Sequence, residues 1–101
     1  MSKNTLKVIA KITALEGKEN DLQEVLIKLI EPTRKEAGCI SYTLLNNLVD
    51  KTEYTFYEEW ETGKDLEAHM QSAHFQKAVS SLDGLIASEP EIKQYHSIEV
   101  G

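Results

Sequence analysis

The first clear pattern along the chain is a two-residue alternation over residues 6–14. Leu6, Val8, Ala10, Ile12 and Ala14 fall on one face, and Lys7, Ile9, Lys11 and Thr13 on the other. Successive side chains of a strand point to opposite faces, so this spacing predicts a strand with one strongly buried side, ended by Glu16-Gly17-Lys18. The period then changes. Leu22, Val25, Leu26, Leu29 and Ile30, followed by Thr33 and Ala37, recur at helical spacing and predict a helix over 19–36. Pro32 has no backbone donor, so it should kink or loosen the last turns, and Gly38 suits the residue that closes a helix.

Two further alternating runs follow. Residues 39–47 set Ile40, Tyr42 and Leu44 against Ser41, Thr43 and Leu45, and residues 53–60 set Tyr54, Phe56, Glu58 and Trp60 against Thr55, Tyr57 and Glu59. Both are rich in aromatic and β-branched residues, and the polar stretch from Asn46 to Thr52 joins them as a hairpin. Thr62-Gly-Lys-Asp65 has the spacing of a capping box and opens a short helix with Leu66, His69 and Met70 facing inward. Ser72 can cap another, whose stripe is Phe75, Ala78, Val79, Leu82, Leu85 and Ile86, weakened near its end by Gly84. Glu89-Pro90 breaks the chain before a last strand over 91–99.

The resulting order, β-α-β-β-α-α-β, is a split βαβ arrangement with its second helix broken in two. It predicts one α+β domain over residues 1–101, ferredoxin-like, with helices on one face of a four-stranded antiparallel sheet. The opposite face carries Ile9, Thr43, Leu45, Thr55 and Tyr57, too apolar to rest in water. A homodimer in which two such sheets meet as a dimeric α+β barrel is therefore expected.

Composition narrows the function. Seventeen acidic residues against 11 basic ones give a net charge of −6, which argues against binding nucleic acid through its phosphates. No apolar run approaches the roughly 20 residues that span a membrane, and with no signal-peptide h-region before the first strand, no secretory leader is expected. With a single cysteine, Cys39, no internal disulfide can form, and a cytoplasmic location is expected. Cys39 sits in no nucleophile motif and reads as an inert thiol.

Glu58 is the most informative residue. A carboxylate among Tyr54, Phe56 and Trp60 loses its water, which favours the neutral form and suits a proton donor or acceptor near neutral pH. It could equally be a structural group that pairs with Lys or Arg, or accepts capping hydrogen bonds, and only holds the fold together. His69, between Leu66 and Met70, should face the sheet and could approach Glu58, or could be a satisfied core residue. His74 begins the next helix, where it either serves chemistry or ties the two helices together by a local hydrogen bond. Metal binding is not expected, because His69 and His74 lie five apart rather than at the i, i+4 spacing of a helical chelate. No glycine-rich phosphate loop is present, so a bound nucleotide or flavin has no support. Tyr42, Tyr54, Phe56 and Trp60 could line an apolar small-molecule pocket or fill it as core.

Four segments in order, Glu36-Ala-Gly-Cys-Ile-Ser-Tyr42, Phe56-Tyr-Glu-Glu-Trp60, Leu66-Glu-Ala-His69 and Ser72-Ala-His-Phe75, resemble the antibiotic biosynthesis monooxygenase family. The likeness runs from the first strand to the last and is nearest to small bacterial quinol-monooxygenase-like members. It implies a dimeric α+β barrel that oxidises a quinol or aromatic hydroxy compound with molecular oxygen and no cofactor. It also implies catalytic roles for Glu58, His69 and His74, with Tyr42, Asn46, Phe56 and Trp60 around the substrate. Other relatives isomerise a phosphorylated signal-sugar derivative or only bind small molecules. Haem-degrading relatives place a histidine about one turn after the position of His74, where this chain reads Gln76-Lys-Ala-Val79.

Overall fold

The computed structural model describes residues 4–100; residues 1–3 and 101, the ends of the domain expected over 1–101, lie outside the described residues. The elements are β1 (Leu6–Thr13), α1 (Glu19–Arg34), β2 (Cys39–Asn46), β3 (Glu53–Trp60), α2 (Gly63–Met70), α3 (Ala73–Ser80) and β4 (Glu91–His96). They form one sheet in the order β2-β3-β1-β4, with every neighbouring pair antiparallel. This is the ferredoxin-like arrangement expected from the alternation of periods.

Its core follows from those periods. The inward set of β1 (Val8, Ala10, Ile12) and of β3 (Tyr54, Phe56, Trp60) packs with Leu22, Leu26 and Leu29 of α1. Leu22 is fully buried, and burying one such side chain contributes about 1.5–3 kcal/mol. On the far side of the sheet Ile9, Leu45 and Tyr57 remain substantially exposed, as the alternation predicts. Among the described residues no helix is long and apolar enough to cross a membrane.

Four local expectations need correction. Helix α1 ends at Arg34 rather than residue 36, with Pro32 inside its last turn, where few ladder bonds remain to be lost. The alternation of β2 is broken by a register shift between Cys39 and Ser41, so Cys39 opposes Trp60 and Ile40 is exposed instead of joining Tyr42 on the core side. Helix α3 stops at Ser80. There the hydroxyls of Ser80 and Ser81 both donate to the Lys77 carbonyl, and the chain turns along the end of β1 through Leu85 and Ala87. Val79 is consequently exposed, while Ala78 and Leu82 are buried and Leu85 and Ile86, beyond the helix, still pack against the core. Strand β4 ends at His96, three residues early, and every one of its side chains is exposed.

Gly38 sets the entry into β2. Its φ of +83° is left-handed, and a Cβ there would collide with the side chain of Asp65. Asp65 cannot easily yield, because its backbone N–H donates to the Thr62 hydroxyl that caps α2. Gly38→Ala is therefore expected to destabilise the fold by about 2–4 kcal/mol, from backbone strain and overpacking together. Urea unfolding measures this, and a loss under 1 kcal/mol would contradict it.

Candidate functional site

Strand β3 carries Glu58 into the core side of the sheet, between Val8 of β1 and Tyr42 of β2. The carboxyl is buried, and it accepts a hydrogen bond at Oε1 from the Trp60 indole N–H at 2.9 Å. No Lys or Arg pairs with it among the described residues. Burial raises its pKa to about 7, opposed by the Trp60 hydrogen bond and aided by the negative charge of Glu36. Of the two structural readings, the ion pair is absent among the described residues, while a hydrogen bond is present, from the Trp60 indole. Tyr42 lies opposite, stacked on Phe56 with ring centroids 4.6 Å apart. Burial, and next the Glu58 charge, hold its phenol protonated far above the ordinary range.

The two histidines flank one corner. Ser72 accepts the Phe75 N–H to cap α3 and donates its hydroxyl to the His69 carbonyl at 2.6 Å, so one side chain joins the end of α2 to the start of α3. Both rings turn toward Glu36, which lies just beyond the C-terminus of α1. His69 Nδ1 lies 2.8 Å and His74 Nε2 2.5 Å from the same oxygen, Glu36 Oε2. A carboxylate oxygen only accepts, so His69 must carry its proton on Nδ1, and in the neutral ring Nε2 then holds the free lone pair. Burial favours that neutral ring and lowers the His69 pKa, against the opposing pull of Glu36. Trp60, fully buried, lies 4.9 Å from the His69 ring by centroid, and Tyr42 meets it edge-on.

A cavity of about 670 Å³ lies between the sheet and α2–α3. Its walls are largely aliphatic, and Tyr42, Phe56, Glu58 and His69 all line it. The charged residues lining it are Glu58, Asp83 and Glu89, with no Lys or Arg. The latter two are exposed and stand toward solvent.

Four of the seven sequence candidates thus meet in one cavity; the others are placed elsewhere. Trp60 does not line it but holds Glu58 and His69 from behind. His74 faces a smaller groove between α1 and α3 and binds Glu36, not a neighbouring helix. Asn46 is exposed at the hairpin, where its amide donates to the Lys51 and Glu53 carbonyls; the hairpin's own backbone acceptors claim that side chain. His69 bonds Glu36, not Glu58. Cys39 is a free thiol whose pKa is raised by burial and then by Glu36 and Glu58, as suits an unreactive group.

Glu36 is the residue that sequence reasoning missed. One signal was available: an acidic side chain near a helix C-terminus opposes the helix dipole and needs compensating donors. The two imidazoles supply them.

A family model described as antibiotic biosynthesis monooxygenase matches residues 5–81. The structure is similar to that of PA3566 from Pseudomonas aeruginosa, with 30% identity, a TM-score of 0.90 and coverage of 95% of this chain and 96% of the other. A conserved protein from Methanosarcina mazei is 31% identical, with a TM-score of 0.86 and 92% of each chain covered. The uncharacterized protein sll1783 of Synechocystis sp. is 36% identical over 70 residues, 69% of this chain. The match takes in 48% of that protein, so the chain spans about half the length of the curated relative it matches.

Proposed function

Because this chain belongs to the antibiotic biosynthesis monooxygenase family, we propose that its cavity oxidises a quinol or aromatic hydroxy compound with molecular oxygen, using no cofactor. The observation that carries the reading is a carboxyl without a cation partner, poised near neutral pH, in an apolar cavity beside a histidine with a free Nε2. Glu58 or His69 Nε2 takes the substrate's hydroxyl proton. The phenolate then gives an electron to oxygen, and the radical pair combines into a carbon–oxygen bond. The acquired proton returns to the peroxide. Loss of the ring C–H proton as the O–O bond breaks leaves a new carbonyl, and the second oxygen departs as water. All electrons come from the substrate. The Tyr42 hydroxyl, held protonated, can donate to the oxygen that gains charge.

Isomerisation of a phosphorylated metabolite could use the same proton-transfer pair. A dianionic phosphate, however, calls for Arg or Lys, and the charged lining of this cavity is entirely acidic. The lining therefore favours an uncharged aromatic substrate. Oxygen uptake with reduced quinols tests the reading.

The same proposal includes a homodimer through the outer sheet face, where Ile9, Leu45, Tyr57 and Tyr95 are 38–50% exposed. Sedimentation velocity should give a dimer for the wild type and a monomer for Tyr57→Glu. A wild-type monomer would overturn it.

A further inference from the structure

We infer that Glu36, His69 and His74 form a binding site for one divalent transition cation, for which Zn²⁺ is the reference. This inference does not rest on the oxygen chemistry proposed above, and a cation there would compete with that chemistry for His69. The three side chains come from three segments: the second residue after α1, the end of α2 and the first turn of α3. One donor atom from each lies within 4.8 Å of the other two. Two imidazole nitrogens and a carboxylate oxygen are a donor set suited to Zn²⁺, and three protein ligands leave a fourth position open.

Two N–H groups converge on a single oxygen here, at 2.8 and 2.5 Å. A cation at that point takes the place of both N–H donors, whose protons move to the other ring nitrogens, His69 Nε2 and His74 Nδ1. No Lys or Arg pairs with Glu36 among the described residues, so nothing cationic already occupies the place. Zn²⁺ holds ligands about 2.0–2.2 Å away, which at a tetrahedral angle sets donor atoms about 3.3–3.6 Å apart. The rings must therefore draw back by roughly 1 Å or less. His74 can do so, because its side chain is 26% exposed, whereas His69, at 2%, stays fixed by its packing. Approach and the open position both lie on the His74 side.

The i, i+4 spacing applies only to a two-histidine chelate on one helix face. The break at Gln71-Ser72 lets residues five apart, on two helices, face a common third group, Glu36. With a cation on Nδ1, the neutral His69 ring carries its proton on Nε2, so in the metal-bound form proton transfer falls to Glu58 alone.

The test is calorimetric titration of chelator-stripped protein with Zn²⁺, on wild type, His74→Ala and the exposed β4 variant His96→Ala. The expected result is one equivalent bound by wild type and by His96→Ala, with affinity at least about tenfold weaker in His74→Ala. Circular dichroism establishes that His74→Ala is folded; should it not be, Glu36→Gln takes its place with the same expectation. Substitution with Co²⁺ should give the intense visible bands of tetrahedral coordination in wild type and lose them in the variant. Absence of Zn²⁺ binding, or equal binding by wild type and the ligand variant, overturns the inference.

Discussion

Between pH 4 and pH 8 the stability of Glu58→Gln is expected to gain on that of the wild type by about 3 kcal/mol. The Glu58 pKa rises from an ordinary 4.5 to about 7 on folding, chiefly by burial. The folded state therefore binds more protons than the unfolded state between those values, and wild-type stability falls as pH rises through that window. Below pH 4.5 both states are protonated and the group contributes no slope; above about 7 the full cost of a buried charge is present. Glutamine is neutral throughout and its amide oxygen can still accept from the Trp60 indole, so the variant escapes that slope. His69 pulls the other way: its lowered pKa costs stability as pH falls. Taking the difference between variant and wild type cancels that contribution. Urea unfolding at pH 4, 6 and 8 measures the gap. A variant that loses ground at pH 8 would mean that Glu58 is a paired structural carboxylate after all.

The same substitution is expected to abolish most turnover. Removing a positioned proton acceptor typically costs about 10²- to 10⁴-fold in rate, and Gln cannot take a proton. His69→Ala should lose a similar factor, because it removes the free Nε2, but it should also cost stability by emptying a fully packed position. The two variants therefore separate chemistry from folding. Glu58→Gln combines a firmer fold with a dead site, a conjunction that a structural role for the carboxyl does not produce.

Much of this arrangement was legible in the sequence. The alternation through Tyr54, Phe56, Glu58 and Trp60 places all four on the buried side, and each is buried. The capping signals at Thr62 and Ser72 are realised as hydrogen bonds to Asp65 N and Phe75 N. What failed were features set by groups distant in sequence. Ile40 leaves its expected face because a bulge lets Cys39 oppose Trp60, and nothing local marks it. The partner of His69 is Glu36, 33 residues away, a pairing that depends on how α1 ends against α2. Asn46 was carried into the site by resemblance alone, and its own hairpin holds it outside the cavity.

The central claim is that this cavity performs oxygen chemistry with Glu58 as a proton-transfer group. The most direct measurement is oxygen consumption in a closed cell with chemically reduced quinols and related phenols, comparing wild type and Glu58→Gln at pH 8 above the spontaneous oxidation rate. The account predicts enzyme-dependent uptake by wild type and at least about a 10²-fold loss in a variant whose fold is intact. Equal uptake by both proteins, or none by wild type across the panel, would contradict it.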